Sequence, residues 1–189
     1  TCGFGSSSAT SNEGVFQKFI HWRVQDAELL GAPLTAGAAM DRVLASRCDD
    51  LSRAAGRLRL IAAHDALIIL RAAFSAPKLM HTLRSSPCDG HNALEKFDGL
   101  LRGCVSTITN TDLTDIQWIQ ASLPVKNGGL GIRRVSSLAS SAFLASAAGT
   151  RDLQSRILSR CQASNDCAVN QILASWAAKY NNTSIMCPE

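Results

Sequence analysis

The apolar residues between Ala38 and Ile108 recur at intervals of three and four, which is the spacing of one face of an α-helix. Successive side chains of a strand point to opposite faces, so a strand buries every second residue and cannot bury a stripe with this period. The chain is therefore predicted to be mainly α, a helical bundle, with one helix ending before Pro77 and another spanning His91 to Ile108. Two stripes carry the pattern: Leu51, Ala54, Ala55, Leu58, Ala62, Ala66, Ile69 and Ala73, then Leu94, Phe97, Leu101, Val105 and Ile108.

Proline and capping residues mark where further helices start. Pro77 is predicted to occupy the first turn of a short helix that ends at Arg84, because a first turn leaves its N–H groups unbonded and proline has none. Thr111 or Asp112 is predicted to cap a helix that carries Trp118, since both side chains can accept a bond from a free N–H. The bundle is therefore expected to continue past residue 110.

Glycines mark the turns in the second half of the chain. Segment 123–132, LPVKNGGLGI, has apolar residues on both sides of Asn-Gly-Gly and is predicted to be either a small hairpin or an ordered loop packed on helices. Gly149 is predicted to end a helix of small residues, with a new helix restarting at Thr150. Asn165 or Asp166 is predicted to start the last helix.

The first 34 residues are predicted to be a flexible start followed by a short β-hairpin near residues 15–34. Residues 1–14 are rich in Gly, Ser and Thr, and residues 15–30 mix aromatic and β-branched residues that fit short strands, with a helix as the alternative. Gly31 and Pro33 then give a turn signal, because proline can neither continue a helix nor donate to a sheet.

The net charge of +4 comes from one segment of the chain. Residues 41–84 contain eight basic and four acidic side chains, and seven of the basic ones are arginines. Guanidinium groups form paired hydrogen bonds with phosphate, which favours a polyanionic partner; on charge alone, a solvated helix face with paired charges explains the segment equally well. Arg53 and Arg57 lie four residues apart and outside the apolar stripe, so they share one helix face.

The sequence has no motif of a phosphate-binding loop, a hydrolase nucleophile or a metal site. The four histidines lack the spacing of a ligand pair, and the seven cysteines are irregularly spaced, so reduced thiols and no metal are expected. Asp49 and Asp50 are adjacent, but their helical context predicts an exposed helix start and not a polymerase metal pair. No apolar run approaches the ~18 residues of a membrane span, so no membrane partner is predicted.

Several short motifs in a fixed order carry a resemblance to a known family. In their order and spacing, residues 15–160 resemble the region that follows the catalytic palm in reverse transcriptases of non-LTR (LINE-type) retrotransposons. The motifs are LLGAPL (29–34), HDAL (64–67), PKL (77–79), LRSSP (83–87), WIQASLPV (118–125) and GGLGIR (128–133).

The resemblance implies a fragment of an RNA-directed DNA polymerase that grips the backbone of a template–primer duplex through a basic helical segment. It implies that Leu30, Gly31 and Pro33 form a primer-grip-like turn. The family's aromatic-x-Asp-Asp motif is missing, so no catalytic residue is assigned, the chain alone is expected to be inactive, and Mg²⁺ is expected only in the missing palm. The implied nucleic-acid-binding residues are Arg53, Arg57, Arg59, Arg71, Lys78 and Arg84.

Three segments are predicted on this basis: a flexible start with a palm or primer-grip remnant (1–34), a thumb-like helical unit (35–110) and a helical C-terminal extension (111–189). The chain is expected to be a piece of a longer polypeptide in the cytoplasm or nucleus. Its expected partners are an RNA/DNA template–primer duplex and the rest of that polypeptide. The alternative is a helical protein-interaction module with no nucleic-acid role.

Overall fold

The computed structural model describes Arg23 and residues 26–157 and 166–181. The mainly α fold with a short hairpin is confirmed, although part of the segment 15–34 lies outside the described residues. Among the described residues, no helix has both the length and the apolar composition needed to cross a bilayer. The elements are β1 (Glu28–Leu29), β2 (Ala32–Pro33), α1 (Ala38–Leu58), α2 (Ala63–Ile69) with a π-helical turn (Leu70–Phe74), α3 (Ala76–Ser85), α4 (Asn92–Thr109), α5 (Asp115–Ser122), a 3₁₀ turn (Val125–Asn127), α6 (Val135–Ile157) and α7 (Cys167–Asn181).

One apolar core joins α1 to α6. α1 packs along α4, and both α3 and α4 pack against α6. The buried cluster contains side chains from before and after residue 110. The predicted division of the chain into the segments 1–34, 35–110 and 111–189 stays a prediction. The largest fully buried side chains are Phe97, Met40, Leu44, Leu51, Leu70, Leu79, Leu83, Leu94, Leu101, Ile132, Val105 and Val135.

The apolar stripe predicted over residues 51–73 does not lie on one helix. α1 ends at Leu58, and the next residues turn away, leaving Leu60 77% exposed. α4 has 18 residues and is about 27 Å long, so a straight helix over 38–73 would project past it. The break lets α2 pack on α4 as well. Leu70 is then buried, whereas Ile69, which belongs to the predicted stripe, is exposed.

Three helix boundaries test the capping predictions. Thr114, and not Thr111 or Asp112, caps α5: its hydroxyl accepts the N–H of Gln117, whose side chain accepts the N–H of Thr114. The predicted end at Gly149 is wrong, since α6 continues to Ile157. A glycine inside a helix costs only about 1 kcal/mol, which the helix-forming residues after it outweigh. The Asp166 carboxylate caps α7, as predicted.

Segment 123–132 is an ordered loop, one of the two predicted forms. Leu130 donates its N–H to the carbonyl oxygen of Ala121 at 3.0 Å, which folds the loop back on α5. Gly128 and Gly131 have φ of +79° and +73°, a region that favours glycine. Ile132 then enters the core with no exposed surface, so the loop is fixed between α5 and α6.

Gly129 lies too close to backbone atoms for any side chain. A Cβ there would overlap the carbonyl oxygen of Leu123 and lie 2.7 Å from that of Gln120. We expect Gly129→Ala to lower the free energy of unfolding by about 2–3 kcal/mol, measured by urea denaturation. Gly128→Ala should cost only about 1 kcal/mol, because its Cβ meets no described atom within 4 Å and only the positive φ is strained. Equal losses in the two variants would contradict this packing.

Candidate nucleic-acid interface

Three of the six predicted nucleic-acid-binding residues line one surface groove of about 320 Å³. Arg53 and Arg57 extend from one face of α1, and Lys78 comes from the first turns of α3. α3 reaches α1 because the chain changes direction at Ser75, whose N–H closes the π-helical turn by donating to the carbonyl oxygen of Leu70 at 2.9 Å. The groove therefore forms only when the start of α3 lies beside α1, where Lys78 contacts Asp50.

The floor of the groove is apolar. Ala54 and Leu58 are buried members of the α1 stripe, and Phe74 is half-buried at the end of the π-helical turn. The arginines stand beside this floor because they lie off the stripe that α1 buries. The groove thus combines an apolar floor with a cationic rim.

Among the described residues, Asp50 is the acidic residue that lines the groove. Three cations contact its carboxylate. Its Oδ1 lies 2.5 Å from Arg53 Nη2, and its Oδ2 lies 3.0 Å from Lys78 Nζ and 3.6 Å from Arg47 Nη1. The hydrogen bond from Lys78 holds the pKa of Asp50 below its ordinary value; burial opposes this shift and Arg53 reinforces it. Arg57 has no acidic partner within the described part of the chain, so the groove is lined by three cations and one carboxylate and is positive.

The other three predicted residues do not line this groove. Arg59 follows the end of α1, Arg71 lies in the π-helical turn and Arg84 in the last turn of α3, all exposed. The Cδ of Arg71 stands 3.0 Å from where a Cβ on Gly131 would be, so its aliphatic part covers the ordered loop. These three residues therefore do not continue the face of Arg53 and Arg57, because α1 ends before Arg59. A role in phosphate binding stays a prediction for these three residues.

Leu30 and Gly31 of the predicted primer-grip-like turn form the tip of the β1–β2 hairpin, and Pro33 lies in β2. Leu30 and Gly31 have φ of 52° and 77°, the sign that a two-residue hairpin turn requires. Ser86 donates its hydroxyl to the carbonyl oxygen of Pro33 at 2.6 Å, and His81 Nε2 lies 3.1 Å from the carbonyl oxygen of Leu30. These bonds fix the turn to the helix that reaches the groove, while its primer-grip role stays a prediction.

Among residues 26–157 and 166–181, no group of three or more His, Cys, Asp and Glu side chains is arranged to hold a metal ion. Asp49 and Asp50 lie in the middle of α1, so their prediction as a helix start is wrong. Asp49 is exposed, whereas Asp50 already faces cations. The pair does not fit Mg²⁺, which needs oxygen ligands converging on one point.

Cys48, Cys88 and Cys104 are free thiols buried in the core. Burial raises the pKa of each, and raises that of Cys88 to about 11. These thiols are therefore protonated at neutral pH and unsuited to nucleophilic chemistry, because the thiolate is the reactive form.

Asp50 is the groove residue whose role the sequence reasoning missed. A local signal for it exists: Arg47 and Arg53 each lie three residues away, the spacing of an ion pair on one helix face. The third cation, Lys78, has no such signal because it arrives from another helix.

Comparison of the chain with known protein families, with curated proteins and with solved structures finds no match. The charge and geometry of the groove therefore carry the functional conclusion.

Proposed function

We propose that this chain holds the phosphate backbone of an RNA/DNA template–primer duplex in the groove of Arg53, Arg57 and Lys78, as the thumb of a non-LTR retrotransposon reverse transcriptase. The observation that carries the proposal is the charge imbalance of the groove, which is lined by three cations and one carboxylate. Such a cluster attracts a polyanion, and binding is driven by release of the counterions that phosphates condense.

The groove suits the backbone of a duplex better than the edges of its bases. Arg53 and Arg57 stand about 6 Å apart along α1, so their guanidinium groups can meet neighbouring phosphates of one strand. The floor of Ala54, Leu58 and Phe74 gives the ribose between those phosphates an apolar surface. Aromatic residues make up only 5% of the chain, whereas surfaces that read unpaired bases stack them on aromatic side chains.

Within this proposal, the chain binds the template–primer duplex and does not itself synthesise DNA. The catalytic aspartates and their Mg²⁺ belong to a palm in the rest of the parent polypeptide, because the described carboxylates do not fit the metal. The cytoplasm and the nucleus are the compartments in which an RNA/DNA duplex would be met.

Single replacements in the groove should lower the salt dependence of duplex binding. Arg53→Ala and Arg57→Ala should each reduce the slope of log K against log salt by about 0.9, the value for one phosphate contact, and weaken binding about tenfold at ~0.1 M salt. The measurement is fluorescence anisotropy of a labelled template–primer duplex between ~50 and ~200 mM salt. Arg151→Ala removes the same charge from an exposed position on α6 and should leave the slope unchanged. Unchanged slopes in both groove variants would contradict the proposal.

A second candidate is a protein-interaction module, which the exposed face of α5 favours. Ile116 and Ile119 lie three residues apart on one face and are 79% and 49% exposed. Leu123 and Val125, which follow α5 in the chain, are also exposed apolar residues. Contiguous exposed apolar surface is typical of interfaces. A folded chain that fails to bind the duplex even at ~50 mM salt would favour this candidate.

A further inference from the structure

We propose that Asp50 is a built-in competitor of phosphate. In the free protein its carboxylate occupies the anion position of the groove, and the duplex binds as Arg53 and Lys78 exchange Asp50 for a backbone phosphate. The inference rests on the proposed function and adds to it the residue that limits the affinity of the groove.

The geometry around Asp50 is that of an occupied anion site. Both carboxylate oxygens face cations: Arg53 on one oxygen, and Lys78 with Arg47 on the other. Carboxylate and phosphate oxygens make the same charge-assisted bonds with guanidinium and ammonium groups, so the two anions compete for the same donors. The cations remain accessible to a ligand, since 70% of the Arg53 side chain and 29% of the Lys78 side chain are exposed.

Exchange is favoured because the pairs that break are weak ones. Ion pairs at the protein surface contribute about 0–1 kcal/mol each, since water and salt screen them. A duplex phosphate offers the same donors an anion and releases condensed counterions as well, which Asp50 does not. Binding is therefore weaker by the free energy of the ion pairs that break, while the number of phosphate contacts is unchanged.

The neighbouring carboxylate supplies a matched control. Asp49 has the same charge and lies next to Asp50 on α1, but it is exposed and forms no ion pair within the described part of the chain. Asp49→Asn and Asp50→Asn therefore change the net charge equally, and only the second releases the groove cations. Any general electrostatic gain appears in both variants.

The experiment measures duplex affinity and its salt slope for the wild type, Asp50→Asn, Asp49→Asn and Asp50→Glu, with thermal unfolding to confirm that each is folded. Asp50→Asn should bind about tenfold more tightly than Asp49→Asn at ~0.1 M salt, with the same slope, because the same phosphate contacts form in both variants. Asp50→Glu keeps the competing charge and should stay close to the wild type. Equal affinities of Asp50→Asn and Asp49→Asn would overturn the competitor role. Weaker binding by a folded Asp50→Asn would overturn it too, by making Asp50 a group that positions the cations.

A measurement on the unmodified chain tests the same exchange without relying on a variant. With ¹³C in the aspartate carboxylates, addition of the duplex at constant pH should shift the NMR resonance of Asp50 and leave that of Asp49 in place. An unmoved Asp50 resonance in the bound state would overturn the exchange. The two proposals fail separately: if the Arg53→Ala slope falls as expected while the two Asn variants agree, only the competitor role is lost. If neither the wild type nor Asp50→Asn binds the duplex, both are lost.

Discussion

Replacing Arg53, Arg57 and Lys78 together by alanine is expected to weaken duplex binding several hundredfold at ~0.1 M salt and to lower the salt slope by about 2.7. The three side chains border one groove, so a backbone laid along it meets all three. Each lost contact removes the release of about one counterion, and at ~0.1 M salt that amounts to nearly a tenfold change in affinity. Anisotropy titrations at several salt concentrations measure both quantities.

The matched control replaces the other three of the six residues that were predicted from the sequence to bind nucleic acid. Replacing Arg59, Arg71 and Arg84 by alanine removes the same charge from exposed positions that do not line the groove. This second triple variant should lose less than about tenfold in affinity, with a slope near that of the wild type, because its effect is limited to screened, long-range attraction. Equal losses in the two triple variants would show a diffuse positive field and not a groove.

Replacing Asp98 by alanine is expected to lower the free energy of unfolding by about 3 kcal/mol. Asp98 is a buried residue of α4 that caps α6 from outside the helix. Its Oδ1 accepts the N–H of Val135 at 2.7 Å, and its Oδ2 accepts the N–H of Ser136 at 3.1 Å and its hydroxyl at 2.6 Å. Alanine would leave the N–H of Val135 buried without an acceptor, and the first turn of α6 would lose its docking point on α4. Urea denaturation followed by circular dichroism measures the loss.

Asp98→Asn and an exposed aspartate give the controls. Asparagine keeps one oxygen acceptor, so its loss should be smaller, about 1–2 kcal/mol. Asp112→Ala, at an exposed position, should change the free energy of unfolding by less than about 0.5 kcal/mol. A loss below about 1 kcal/mol in Asp98→Ala would contradict its role as a cap between helices.

The raised pKa of Asp98 sets the direction in which its contribution to the free energy of unfolding changes with pH. Burial raises this pKa, against the hydrogen bonds from Ser136 and Val135 and the charge of Arg134. The folded protein therefore holds this proton more tightly than the unfolded chain does. The contribution of Asp98 to stability falls as pH rises from its unfolded pKa of about 3.9 through the raised value, and Asp98→Asn should lack that part of the pH dependence.

The helices were largely predictable from the sequence because their period and start signals are local. The stripe through Phe97 and Leu101 gives α4, and Pro77 gives the start of α3 to within one residue. The break after Leu58 was not predictable, because it depends on how far α4 extends beside α1. The continuation of α6 through Gly149 was missed because a glycine ends a helix only when the residues after it favour leaving.

Only part of the groove was predictable, because only the pairing of Arg53 with Arg57 is a pattern local in sequence. The pairing of Arg53 with Arg57 follows from a spacing of four on one helix. Lys78 joins them only because the fold brings the start of α3 beside α1, where Lys78 pairs with Asp50, and no short-range pattern encodes this. The separation of Arg59 and Arg71 from the groove follows from the break after α1, and that of Arg84 from its place in the last turn of α3, so both required the tertiary structure.

Contact between the groove and the duplex is measured most directly by following the ¹⁵N–Hε resonances of the arginine side chains while an RNA/DNA template–primer duplex is added. The expected result is that the resonances of Arg53 and Arg57 shift together and saturate at one chain per site, while those of Arg151 and Arg156 at the end of α6 stay in place. Shifts of similar size in all four arginines, or none in the groove pair, would contradict phosphate binding in the groove.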